Sequence, residues 1–132
     1  MCLISLSDIP KVADRNIVCY KFLYKTGPFK YITPVRGTTL WKFPSIKKTF
    51  VAEGVRDIGV DHIQQKYVVG GGFIHTFAKR SDIYSRRSPY DVVLFQCIIP
   101  KGTEYFESED GSEYASSKIV ILRKEITWYN LR

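Results

Sequence analysis

Val92-Val93-Leu94-Phe95-Gln96-Cys97-Ile98-Ile99 decides how this chain is read. It is apolar at every position but Gln96, rich in β-branched residues, and too short for a buried helix. Such a run predicts a strand covered on both faces, at the centre of a sheet. Pro100-Lys101-Gly102-Thr103 then reads as a turn, and Glu104-Tyr105-Phe106-Glu107 as a returning extended segment.

Similar segments lie on either side. Upstream, residues 16–24 (Asn-Ile-Val-Cys-Tyr-Lys-Phe-Leu-Tyr) combine β-branched and aromatic residues and predict a strand, turned by Thr26-Gly27-Pro28. Residues 29–33 and 48–52 read as further short strands, as do Lys66-Tyr67-Val68-Val69 and Phe73-Ile74-His75-Thr76-Phe77. Lys118-Ile119-Val120-Ile121-Leu122 is the last core strand. Helix signals are few. Ser81-Asp82 caps a short helix that Pro89 stops, and Ser7-Asp8 before Ile9-Pro10-Lys11-Val12-Ala13 marks another. The expected fold is α+β but mainly β. Twisted antiparallel or mixed sheets with one to three short helices form a single globular domain over residues 1–132.

Composition sets the outer limits. The chain has 132 residues, 45% hydrophobic and 25% charged, which is ordinary globular usage. No apolar run approaches the ~20 residues of a membrane helix, so no membrane partner is expected. Residues 1–8 lack a basic region and a long apolar stretch, so no secretory signal is expected. Three cysteines without metal-type spacing, Cys2, Cys19 and Cys97, suit reduced thiols and a cytoplasmic protein. The net charge is +7, which favours anionic partners. It is unevenly placed: residues 1–101 hold 16 basic and 7 acidic groups, residues 102–132 hold 4 and 6. Glu104, Glu107, Glu109, Asp110 and Glu113 form an acidic segment, and a basic body with such a segment either binds an anion or pairs head-to-tail with a second copy, giving a homo-oligomer.

The candidate site centres on Gly70-Gly71-Gly72. Three glycines in a strand pattern mark either a bulge or a close backbone approach to a ligand. Alternation places Phe73, His75 and Phe77 on one strand face. A histidine between two phenylalanines serves either as a stacking and phosphate-binding group or as a hydrogen-bonded core residue. Basic groups interleave with aromatics at Tyr20-Lys21, Tyr24-Lys25 and Trp41-Lys42-Phe43, and Lys79-Arg80 follows the glycine strand. Cations hold phosphate and aromatic faces stack on bases. The same interleaving also suits an ordinary aromatic sheet with a lysine-bearing solvent face. Lys21, Gly70, Gly71, Gly72, Phe73, His75, Phe77, Lys79 and Arg80 are therefore the expected ligand-binding residues. No Walker or Gly-x-Gly-x-x-Gly loop, no Ser-His-Asp motif and no third ligand near His62 is present. No cofactor, metal or catalytic residue is expected.

Two resemblances add to this reading. The Met1-Cys2-Leu3 start, residues 14–23, Ala52-Glu53-Gly54, residues 71–77 and Cys97-Ile98-Ile99-Pro100-Lys101-Gly102-Thr103-Glu104-Tyr105-Phe106 resemble a set of small phage, prophage and bacterial proteins that keep these elements in this order. That implies a viral or prophage context and brings no activity. Tyr20-Lys21, Gly72-Phe73-Ile74-His75-Thr76 and the strand before Pro100 also resemble the three nucleotide-site strands of the ADP-ribosyltransferase fold. Lysine replaces that family's arginine, its Ser-Thr-Ser is missing, and no glutamate precedes the turn. The resemblance therefore implies a nucleotide-shaped groove without the transferase's catalytic carboxylate.

The function expected from the sequence is a non-catalytic protein that captures a nucleotide-like anion, such as a nucleotide signal of host immunity. Two alternatives stand beside it: an interaction or inhibitor module aimed at a host protein, and an ADP-ribosyltransferase-like enzyme.

Overall fold

The computed structural model describes residues 3–5, 9–27, 30–32, 40–42, 49–51, 58–61, 66–69, 73–79 and 91–128. The strands in chain order are β1 (Leu3–Ser5), β2 (Lys11–Val12), β3 (Ile17–Gly27), β4 (Lys30–Ile32), β5 (Leu40–Lys42), β6 (Thr49–Val51), β7 (Ile58–Asp61), β8 (Lys66–Val69), β9 (Ile74–Phe77), β10 (Asp91–Ile99), β11 (Glu104–Glu107), β12 (Glu113–Ser116) and β13 (Lys118–Trp128). Every pairing among them is antiparallel.

The described residues contain no helix, which corrects the expectation of short helices. Lys11 and Val12, placed by their capping pattern in a helix, instead pair with Tyr105 and Glu104. Local capping chemistry yields there to backbone bonding: Ala13 N–H donates to the Thr103 carbonyl at 2.9 Å, and Gly102 N–H to the Ala13 carbonyl at 2.7 Å. The helix expected over residues 81–89 lies outside the described residues.

One sheet has ten strands. Its main path is β2-β11-β12-β9-β3-β10-β13-β6, and β4 joins β3 and carries β5. β10 is central, as its apolar run requires. It pairs with β3 from Asp91↔Lys25 to Ile99↔Ile17, and on its other side with β13. Val92, Val93, Leu94 and Phe95 are all buried, so both faces are covered at that end. One face of the sheet carries the main core. Cys19 and Leu23 of β3, Ile74 of β9, Val93, Phe95, Cys97 and Ile99 of β10, and Ile119 and Ile121 of β13 form one cluster. Tyr31 of β4 joins it edge-on to Phe95, ring centres 5.3 Å apart. Each fully buried aliphatic side chain there contributes about 1.5–3 kcal/mol.

A smaller sheet, β1-β8-β7, covers the other face near the β11–β12 hairpin. Val69 of β8 packs with Phe106, Ala115 and Phe73. Glu109 N–H donates to the Ile4 carbonyl at 3.2 Å, and Lys66 pairs with Glu109 at 2.9 Å.

The turn predicted at residues 100–103 forms. Thr103 N–H donates to the Pro100 carbonyl at 3.1 Å, and Gly102 at the third position has φ of 88°. That left-handed φ is what a type II turn demands there. A Cβ on Gly102 would meet nothing within 4 Å, so the cost of adding one is conformational alone. Gly102→Ala is expected to lose about 1–2 kcal/mol of stability in urea denaturation, with an unchanged denaturant slope.

Candidate functional site

β3 alternates strictly. Cys19, Lys21 and Leu23 point into the core, while Tyr20, Phe22 and Tyr24 lie half-buried on the opposite face. β9 alternates in the same way: Ile74 and Thr76 are buried, His75 and Phe77 half-buried. Tyr20 pairs directly with Phe77, so the two half-buried rows share one face. Phe22 stacks on Phe77, with ring centres 5.9 Å apart and planes 27° apart, and Phe22 leans on Tyr24 at 6.3 Å. The outcome is an aromatic row across β9 and β3, with His75 on the same face, and exposed Lys79 follows two residues after the end of β9.

The residues expected to form one site thus separate. His75 and Phe77 share one face of β9, and Lys79 is exposed just beyond its end. Half-buried Phe73 meets Phe106 edge-on at 5.4 Å and packs in the smaller core cluster, beside Ala115, the register partner of His75. Lys21 lies on the opposite face from the His75 ring and is only 8% exposed. Gly70, Gly71, Gly72 and Arg80 lie outside the described residues, as do Cys2 and His62.

Lys21 has a structural setting of its own. β9 pairs with β3 only at Tyr20↔Phe77 among the described residues, and β4 takes over that edge of β3 from Tyr24 onward. Where the ladder is interrupted, the Lys21 ammonium donates to the His75 backbone carbonyl at 2.8 Å. Burial holds its pKa down to about 8, while the neighbouring Cys97 and Cys19 thiols oppose that shift. Burial likewise pushes the Cys19 thiol up to about 11, against the lowering effects of the Thr76 hydroxyl and Lys21. Cys97 is pushed up further, by burial first and by Cys19 second. Both thiols are free. Nearby, the buried Ser116 hydroxyl has no hydrogen-bond partner among the described residues.

The acidic segment finds partners within the chain. Lys11 meets Glu107 at 3.7 Å and Lys66 meets Glu109. Asp110 Oδ1 accepts from the Ser108 hydroxyl at 2.7 Å and from the Ser112 N–H and hydroxyl at 3.0 and 2.7 Å. Those bonds lower the carboxyl to about pH 2. Part of the charge expected to attract a second copy is therefore engaged internally.

Among the described residues no group of three or more His, Cys, Asp or Glu is placed to hold a metal ion. No helix there is long and apolar enough to cross a membrane. The fold defines a mainly-β, antiparallel protein with an aromatic sheet face. Comparison with protein-family models, curated proteins and solved structures gives no match.

Sequence reasoning had missed Phe22 as the partner of Phe77, and the meeting of Cys19 with Cys97. The period-two spacing of Tyr20, Phe22 and Tyr24 carried the first. Only the strand register reveals the second.

Proposed function

We propose that this is a non-catalytic binding protein of phage or prophage origin whose ligand is a nucleotide-like anion. The observation that carries the reading is the Phe22–Phe77 stack, flanked by Tyr20, Tyr24 and His75 on one half-buried face. Aromatic faces stack on any base at about 1–3 kcal/mol each. In this reading half-buried His75 and exposed Lys79 supply the phosphate contacts, and the net charge of +7 draws anions toward the protein. Lys21, buried on the opposite face, is a framework residue in this reading.

Calorimetry against mononucleotides, cyclic dinucleotides and ADP-ribose derivatives tests it. At least one compound should bind, more weakly as salt rises. Phe77→Ala and His75→Ala should each cost roughly tenfold in affinity while the protein stays folded by circular dichroism. Lys21→Met should leave affinity unchanged. Absence of binding by every compound, or binding indifferent to Phe77 and His75 together, overturns the proposal and favours the protein-interaction module. Turnover of labelled NAD would instead reveal an enzyme.

A further inference from the structure

We infer that Cys19 and Cys97 form a redox-sensitive pair, a site at which a low-molecular-weight disulfide converts two core thiols into a cross-strand disulfide. The two residues are direct partners in the β3–β10 ladder. Both are wholly buried in the main core cluster, so their side chains share one face. Opposed residues of an antiparallel pair have Cα atoms about 4.5–5.5 Å apart. A disulfide spans about 4.4–6.8 Å between Cα atoms. The backbone already has the separation that the bond needs.

Two neighbours give the pair its chemistry. Burial holds both groups as thiols, and the Lys21 ammonium offsets part of that by favouring the thiolate of each, which is the attacking form once the seam opens. The interrupted β3–β9 ladder beside Lys21 supplies the weak seam. With one backbone pairing between β3 and β9 among the described residues instead of a full ladder, local opening at that seam is the route by which a small oxidant reaches the core. Cys19, which also has the Thr76 hydroxyl beside it, attacks first.

The step balances as thiol–disulfide exchange. The Cys19 thiolate attacks one sulfur of the external disulfide, forming a mixed disulfide and releasing one small thiolate. The Cys97 thiolate then attacks the Cys19 sulfur and releases the second. Two protein thiols lose two electrons and two protons, and one external disulfide is reduced to two thiols. Joining residues 19 and 97 closes a long loop in the unfolded chain, so the oxidised form is the more stable one.

The test uses the full chain carrying Cys2→Ser, incubated with oxidised glutathione a few degrees below its melting temperature. Peptide mapping without reductant should find the Cys19 and Cys97 peptides linked. Both thiols should vanish together from titration in denaturant, and the melting temperature should rise by roughly 5 °C or more. Dithiothreitol should reverse all three. In Cys97→Ala, oxidation should stop at a glutathione adduct on Cys19. Thiols that remain fully titratable, or separate glutathione adducts on both cysteines without a link, overturn the inference. Should Cys97→Ala fail to fold, the mapping alone decides.

Discussion

Leu94→Asp is expected to give no folded protein. Leu94 lies mid-strand in β10, between Phe22 of β3 and Ile126 of β13 in the ladder, and is 1% exposed. An aspartate there loses the leucine's burial, about 1.5–3 kcal/mol. It also places a carboxylate in the interior at a further cost of several kcal/mol. Together these match the whole stability of a domain this size, about 5–15 kcal/mol. The contrast is Cys97→Asp, three positions along. That site is also wholly buried, but the Lys21 ammonium acts on it directly, so the new carboxylate meets a cation. Cys97→Asp is expected to keep a cooperative thermal transition at reduced temperature, and Cys97→Asp with Lys21→Met to lose it. Circular dichroism melts of the four proteins check this. A cooperative melt of Leu94→Asp near the parent temperature would remove β10 from the centre of the fold.

β10 was legible because a strand covered on both faces has to be apolar at nearly every position, and little else produces eight such residues between turns. β12 was not legible. Glu113-Tyr114-Ala115-Ser116 has weak strand propensity and owes its state to pairing with β9 and β11. The last core strand is expected only over residues 118–122, where the apolar run ends; Arg123, Lys124 and Glu125 that follow are charged. They belong to β13, which continues alongside β10 to Trp128. At the candidate site, alternation correctly put His75 with Phe77. Applied to β3, the same rule groups Lys21 with Cys19 and Leu23 in the core. The positive charge of Lys21 pulled it instead toward an anion site. What no single segment shows is which strands adjoin, and so neither the Phe22–Phe77 stack nor the Cys19–Cys97 pair was readable before the register was known.

Lys21→Met is expected to stabilise the protein at neutral pH and to lose that advantage as pH rises. In the folded protein Lys21 titrates at about 8, against 10.5 in the unfolded chain. Below pH 8 both states hold the proton, and folding carries the full cost of burying the charge. Between about 8 and 10.5 the folded state sheds the proton first. The unfolded state then binds more protons, and stability rises with pH. The shift amounts to roughly 3 kcal/mol across that window. Other groups packed around Lys21 act in the opposite sense. Cys19 and Cys97 ionise near 9.0 when unfolded and later when folded, so their contribution falls as pH rises through 9. Tyr31 and Tyr114, both raised by burial, do the same from about pH 10. These groups are present in both proteins, so the difference between parent and variant reports Lys21 together with its coupling to the two thiols. Methionine fills a similar volume but forfeits the bond to the His75 carbonyl, worth about 1 kcal/mol. At pH 7 the variant should therefore be the more stable by roughly 1–2 kcal/mol. By pH 10 the parent should have gained about 2–3 kcal/mol relative to it, reversing the order. Urea denaturation of both proteins at pH 7, 8, 9 and 10, in the Cys2→Ser background with reductant present, measures the difference directly. A gap that stays constant across this range would mean that the Lys21 amine keeps an ordinary pKa, and so does not lie buried between β3 and β9.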